Sequence, residues 1–168
     1  MYQLKKAEIT DVELIQTMAQ EVFPYTYRNT LSQEQIKYMM EMMYSYEVLQ
    51  KKIKTQSESY YIAFKENTPC GYLSFERLES DYFYIQKIYI LPKYQGAQCG
   101  SFLFKSAMEI FRNECNSTFK VGLNMNKENV NALKFYQKQG MNIIGSRKHP
   151  IGNAYYMDDY ILEIEYDE

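Results

Sequence analysis

The stretch Ile88-Tyr89-Ile90-Leu91-Pro92-Lys93-Tyr94-Gln95-Gly96-Ala97-Gln98-Cys99-Gly100-Ser101 decides how this chain folds. An apolar run breaks into a short turn with glycines at 96 and 100. A helical pattern follows, with Phe102, Leu103, Ala107, Ile110 and Phe111 on one face. Such a turn aims a helix start at an anion. The first N–H groups of a helix have no partner within it, they carry the positive end of its dipole, and a glycine lets a phosphate approach the main chain without a Cβ in the way. On its own the pattern is as readily a plain packed connection, so the surrounding chain has to decide.

Towards the C-terminus, residues 120–125 return to a strand pattern. The strands ending at Ile90 and Met125 are therefore joined by a helical crossover and should be parallel, with the glycine turn above their carboxyl ends. Residues 129–139 read as the last helix, stopped by Gly140. Residues 141–145 and 155–166 read as closing strands, the second alternating Leu162, Ile164 and Tyr166 with Glu163 and Glu165.

Towards the N-terminus, residues 2–6 form a short strand. Thr10-Asp11-Val12-Glu13 has the spacing of a capping box, opening a helix whose apolar stripe (Leu14, Ile15, Met18, Ala19, Val22) runs to Phe23 and Pro24. Ser32-Gln33-Glu34-Gln35 is a second box, opening a helix with Ile36, Met39, Met40 and Met43 inside. After a break at Ser45, Val48, Leu49 and Ile53 continue a further helical segment. Residues 60–64 and 70–75 pair as a hairpin around Asn67-Thr68-Pro69, and residues 82–90 form the next strand. The order β-α-α-β-β-β-α-β-α-β-β predicts an α/β fold: a mixed, mostly antiparallel sheet with one parallel pair, the fourth and fifth strands, and helices on both faces.

With 168 residues, 46% hydrophobic and 24% charged, the chain has the size and composition of one soluble domain spanning residues 1–168. It has no apolar run of membrane-spanning length, and its start lacks the apolar centre of a signal peptide, so the cytoplasm is the expected address. Cys70, Cys99 and Cys115 lie too far apart for a zinc-binding pair, and no metal site is expected. A net charge of -2 without a basic block argues against nucleic acid. The 18 tyrosines, beside no tryptophan, are expected mostly in the core and half-buried on the sheet.

Taken with that order of elements, Gln95-Gly96-Ala97-Gln98-Cys99-Gly100 and Asn129-Val130-Asn131-Ala132-Leu133-Lys134-Phe135-Tyr136-Gln137-Lys138-Gln139-Gly140-Met141 resemble the GCN5-related N-acetyltransferases, the GNAT superfamily. The first is similar to the family's phosphate loop, with Gln98 in place of its middle glycine. The second is similar to Asn-x-x-Ala-x-x-Phe-Tyr-x-x-x-Gly-Phe, with Met141 in place of the phenylalanine. The resemblance implies an acetyl-CoA site. Main-chain groups of Ile88, Tyr89 and Ile90 would line the pantetheine arm and polarise the acetyl carbonyl, and amides of Gln95, Gly96, Ala97, Gln98, Cys99, Gly100 and Ser101 would hold the pyrophosphate. Asn124 and Asn129 would contact the cofactor, with Lys134 or Lys138 near the ribose phosphate. Tyr136 matches the family's general acid, which its chemistry supports, since a phenol of pKa about 10 is protonated at neutral pH.

Many relatives carry a glutamate on the fourth strand as base. The matching stretch here, Tyr82-Phe83-Tyr84-Ile85-Gln86, has none, leaving Tyr84 or Gln86 to order a water chain to solvent or to Glu79 or Asp81. His149, before Pro150, is read as a bystander in a loop. For a cationic acceptor, Glu21, Asp158 and Asp159 are candidate carboxylates and Tyr25, Tyr27 and Tyr84 candidate walls. Residues 21–28 and the methionine-rich helix resemble the bacterial polyamine acetyltransferases. The expected partner is a small amine, with a homodimer as the assembly to test. A protein N-terminal or lysine acetyltransferase, or a non-catalytic acyl-CoA-binding module on the same fold, stays open.

Overall fold

In the computed structural model, which describes residues 1–167, the chain runs β1 (Tyr2–Lys6), a 3-10 turn (Ile9–Asp11), α1 (Val12–Tyr27), α2 (Gln33–Tyr44), α3 (Tyr46–Thr55), β2 (Ser59–Lys65) and β3 (Thr68–Glu79). It continues with β4 (Tyr82–Ile90), a 3-10 turn (Pro92–Tyr94), α4 (Cys99–Glu114), β5 (Phe119–Asn126), α5 (Val130–Lys138), β6 (Asn142–Gly152) and β7 (Tyr155–Tyr166). The strand order is β1-β2-β3-β4-β5-β7-β6. As expected, β4 and β5 are parallel, from Tyr82 opposite Lys120 to Ile85 opposite Leu123, and the β1–β2, β2–β3, β5–β7 and β6–β7 pairs are antiparallel. Among the described residues no helix is long and apolar enough to cross a membrane.

Several element ends differ from the sequence reading. The box at Thr10 does not form; Glu8 and Asp11 make it instead, with the Glu8 N–H donating to Asp11 Oδ2 at 2.8 Å. Ser32 caps α2 as expected, its Oγ accepting from the Gln35 N–H at 3.1 Å. Pro24 does not end α1. The lost hydrogen bond costs about 3 kcal/mol, but the turn beyond it buries Tyr27, whose ring packs 4.7 Å from that of Phe23. The first hairpin turns at Glu66-Asn67, both left-handed (φ 49° and 68°), so Pro69 lies inside β3 opposite Phe64. The last hairpin is longer than expected. Left-handed Asn153 and Ala154 make a tight turn, which draws residues 146–152 into β6. His149 is therefore a strand residue opposite Met157, and Pro150 is tolerated because β6 is an edge strand.

The described residues divide into two compact units. The first holds Met1–Glu76 and Lys87–Ile110, the second Arg77–Gln86 and the described residues from Phe111 onward. The core of the first includes Phe23, Tyr44, Tyr72 and Tyr89. The Tyr44 and Tyr72 hydroxyls pair there, 2.8 Å apart. The second is centred on Phe83, stacked on Phe111 at 4.3 Å and edge-on to Phe119 at 6.0 Å.

The first unit also buries an ion pair. Lys87 Nζ lies 2.7 Å from Glu58 Oε2, and Lys52 Nζ lies 2.9 Å from Glu58 Oε1. Burial alone would raise the Glu58 carboxyl, but the two ammonium groups outweigh it and hold it at about 2. Burial works against the charge on Lys87, yet with two cations on one carboxylate we take the pair as ionised. A carboxyl lowered on folding contributes stability that is complete above its ordinary pKa and is lost as the pH falls through its folded value. Lys87→Met should therefore cost about 3 kcal/mol in urea unfolding at pH 7. The deficit should narrow between pH 4.5 and 2 as Glu58 is protonated, whereas a pH-independent deficit would assign Lys87 to packing alone.

Candidate active site

The first unit supplies an anion cradle. Beyond β4, the Gln95 and Ala97 N–H groups donate to the Pro92 and Tyr94 carbonyls, at 3.2 and 3.3 Å, so these two of the expected pyrophosphate donors are already engaged. The first bond of α4 runs from the Phe102 N–H to the Gln98 carbonyl at 3.0 Å, which leaves the N–H groups of Cys99, Gly100 and Ser101 at the helix start, pointing out along its axis. Gly96 is left-handed (φ 80°), and a Cβ there would meet nothing within 4 Å. Gln98, in place of the family's glycine, adopts the glycine-like φ of 65° with its side chain exposed. The turn thus keeps its shape without the glycine, and these residues fit a diphosphate.

Three side chains hold the loop from below. The Tyr2 hydroxyl donates to the Ala97 carbonyl, Gln95 Nε2 donates to the Ile90 carbonyl at 3.2 Å, and Cys99 Sγ meets Cys70 Sγ at 3.2 Å. Burial first, then Cys70, pushes the Cys99 thiol well up, so Cys99 offers no thiolate as an acyl carrier. Ile88, Tyr89 and Ile90 end β4 half-buried. Gly71, not singled out in the sequence, is what lets β3 lie so close to them, because a Cβ there would sit 2.6 Å from the Tyr89 carbonyl oxygen.

The second unit supplies the groups that can donate or accept protons. Tyr136 is buried on α5. That helix is fixed at one end by Asn129, whose Oδ1 accepts from the Ala132 N–H at 3.2 Å, and at the other by left-handed Gly140. Asn129 is thus a helix cap, and the NH2 end of its amide is the part not used in capping. The Tyr84 hydroxyl donates to Asn124 Oδ1, which joins two residues that the sequence placed in separate roles. Burial first, then Tyr82 and Asp159, push the Tyr84 hydroxyl up to about 12 against the pull of Arg147, so it is a neutral phenol at physiological pH. The residue that makes room for it is Gly122, opposite Tyr84 in the β4–β5 register. A Cβ there would lie 2.8 Å from both Tyr84 Cε2 and the Tyr82 hydroxyl. A glycine within a strand was the available signal, and it was missed.

The candidate acceptor residues divide. The Tyr27 hydroxyl lies 3.4 Å from that of Tyr89, beside the expected pantetheine edge. Tyr25 is exposed with the Arg28 guanidinium 3.9 Å over its ring, so that face already holds a cation, and Glu21 is exposed on α1. Asp158 pairs with Lys127 at 3.0 Å, whereas Asp159 is buried.

The sequence model of the Acetyltransferase (GNAT) family matches residues 17–141. The fold is similar to that of the PaiA N-acetyltransferase from Thermoplasma acidophilum, solved in complex with coenzyme A (TM-score 0.80, 22% identity, 99% of each chain covered). It is also similar to a GCN5-related N-acetyltransferase from Rhodopseudomonas palustris (TM-score 0.79, 16% identity, 98% of this chain and 95% of that one). A spermidine N-acetyltransferase chimera from Vibrio cholerae matches at TM-score 0.70 and 18% identity, over 97% of this chain and 94% of that one. At these identities the likeness establishes the fold.

Two substitutions test this geometry. Gln98→Gly relieves a left-handed side-chain residue and should raise stability by about 1 kcal/mol while leaving coenzyme A affinity, measured by calorimetry, within threefold. A tenfold loss would show that the Gln98 side chain itself grips the cofactor. Gly122→Ala must displace Tyr84 and should lower kcat/KM at least tenfold with coenzyme A affinity kept; unaltered kinetics would remove Tyr84 from the site.

Proposed function

Because this chain belongs to the acetyltransferase (GNAT) family, and is therefore an N-acetyltransferase with acetyl-CoA as cosubstrate, we propose that it acetylates a small primary amine by direct attack in a ternary complex, with residues 1–168 acting as one catalytic domain. The observation that carries this reading is the loop at the start of α4, where Gln98 keeps the glycine conformation and the helix start remains available to an anion. Acetyl-CoA brings the thioester acyl group and its thiol leaving group. The N–H groups of Gly96, Gln98, Cys99, Gly100 and Ser101 grip the pyrophosphate, with those of Gln95 and Ala97 buttressing the turn. Main-chain groups of Ile88, Tyr89 and Ile90 align the pantetheine arm and polarise the acyl carbonyl. Asn124 and Asn129 hold the cofactor where it passes them, and Tyr136 gives a proton to the departing sulfur.

The amine must arrive without its extra proton, at a cost near pH 7 of about 4 kcal/mol for a pKa about three units higher. Polyamines are the acceptor class we favour, supported by residues 21–28 and by the name of one similar protein, the spermidine acetyltransferase. Glu21, Tyr25 and Tyr27 are the acceptor-side candidates on α1. The competing reading, a non-catalytic acyl-CoA-binding module, draws on the missing carboxylate of β4.

Thiol release from acetyl-CoA should be followed with polyamines, amino acids, aminoglycosides and peptides. Turnover is expected on polyamines; turnover on peptides alone would reassign the acceptor to protein, and cofactor binding without turnover on any amine would favour the module. Tyr136→Phe should lower kcat about 100-fold with coenzyme A affinity within threefold, and an unchanged kcat would remove Tyr136 from the acid role.

A further inference from the structure

The β4 strand carries no carboxylate near Tyr84, but β7 brings two: Glu163, which accepts from the Tyr82 hydroxyl at 3.3 Å and lies 3.8 Å from Lys120, and Asp159. Asp159 lies opposite Asn126 on one side and Arg147 on the other, so it sits in a central part of the β5–β7–β6 array and is only 5% exposed. Asn124, two residues before Asn126 on β5, lies diagonal to Asp159 on the same face of the sheet and is one of the groups that hold its carboxyl down, while Asn124 Oδ1 accepts from Tyr84. Asp159 Oδ1 is buried with no hydrogen-bond partner among the described residues, as is Nδ1 of His149, which faces the same carboxylate from β6. A buried carboxylate with an unfilled oxygen is costly to fold, and such groups mark places where stability yields to function.

We propose that Asp159 is a positioning residue of the acyl-transfer site, one that fixes the polarity of the Tyr84 hydroxyl through Asn124. An ionised carboxylate only accepts hydrogen bonds, so it takes the NH2 end of the Asn124 amide and turns the Oδ1 end to Tyr84. Tyr84 must then donate to Asn124, and its oxygen lone pairs are left to receive an N–H of the amine. When Asp159 is protonated it can itself donate to Asn124 Oδ1, the amide loses its fixed sense, and Tyr84 loses its acceptor. This inference rests on the acetyltransferase reading and adds the residue that orders its amine side.

The groups facing Asp159 are His149 and Arg147 from β6, Asp158 from its own strand, Lys127 just beyond β5, and Tyr84 from β4. Burial first raises the Asp159 carboxyl above the ordinary aspartate range, and Asp158 adds to this, while His149, Asn124 and Lys127 oppose. Activity should accordingly fall on the acid side at a pH above that of an ordinary aspartate.

Asp159→Asn keeps the shape and removes the fixed polarity. We expect kcat/KM to fall at least tenfold and the acid limb of its pH profile to disappear, with the melting temperature within a few degrees and coenzyme A affinity within threefold. In a Tyr84→Phe background the same change should cost less than twofold, because both act through one hydroxyl. A second variant, Asn124→Asp, sets two carboxylates side by side and should move the acid limb to higher pH. Retained activity in Asp159→Asn, losses that multiply with Tyr84→Phe, or an acid limb unmoved in Asn124→Asp would overturn the proposal. Absence of coenzyme A binding and turnover in the unmodified protein would instead overturn the acetyltransferase reading, and this inference with it.

Discussion

The active end of the first unit depends on one close approach, that of β3 to β4 at Gly71. A methyl group there would press to 2.6 Å from the Tyr89 carbonyl oxygen and 3.1 Å from Ile90 Cδ1, and the next contact along is the Leu91 N–H donating to the Cys70 carbonyl at 2.9 Å. Backbone held this tightly on backbone cannot slide, so the last residues of β4 and the entry to the turn at Pro92 are fixed together. Everything in the cradle is then hung from that point: Gln95 reaches back to Ile90, and Cys99 packs on Cys70, the immediate neighbour of Gly71. A left-handed glutamine costs only about 1 kcal/mol, which a loop anchored at both ends can carry. This is why the glycine of the family pattern is dispensable here.

The two units bury acids in opposite ways. Glu58 and Asp159 are both nearly inaccessible, yet Glu58 is pulled down to about 2 and Asp159 is pushed up. Burial acts in the same direction on both; the difference is in the partners. Glu58 has an ammonium on each oxygen, whereas Asp159 has no ion-pair partner among the described residues and leaves Oδ1 unfilled. The first arrangement is closed and can serve only to hold structure. The second retains the ability to change state, which is the property a site requires.

The same distinction explains what could be read from sequence. Signals that act within one turn were legible: the Ser32 cap, the Ser45 break between α2 and α3 and the Gly140 stop; so was the helical crossover that makes β4 and β5 parallel, which follows from the order of elements. Where two local solutions compete, the sequence alone did not choose. Glu8/Asp11 and Thr10/Glu13 have the same three-residue spacing, and Lys5 at 3.2 Å from Asp11 favours the first. Pro24 and Pro150 read as breaks because their cost is local, while the burial and edge position that offset it are tertiary. Asp158 and Asp159 stood as equals in the chain. Only the pairing of β7 with both β5 and β6 turns one to Lys127 at the surface and the other inward to Asn124.

The alternation of β4 carries a consequence for selectivity. Phe83, Ile85 and Lys87 are buried residues of one parity, and Tyr82, Tyr84 and Gln86 are the other. The second set is the one on which a carboxylate would be expected, and it is uncharged. A phenol held neutral by burial neither attracts nor repels an ammonium at a distance, since only full charges act beyond a few ångströms of water. It can orient a nitrogen already present but cannot recruit one. Choice among cationic amines therefore cannot originate on β4. It has to come from charged groups that remain accessible, and exposed Glu21 on α1 and Asp158, exposed although paired with Lys127, are of that kind while buried Asp159 is not.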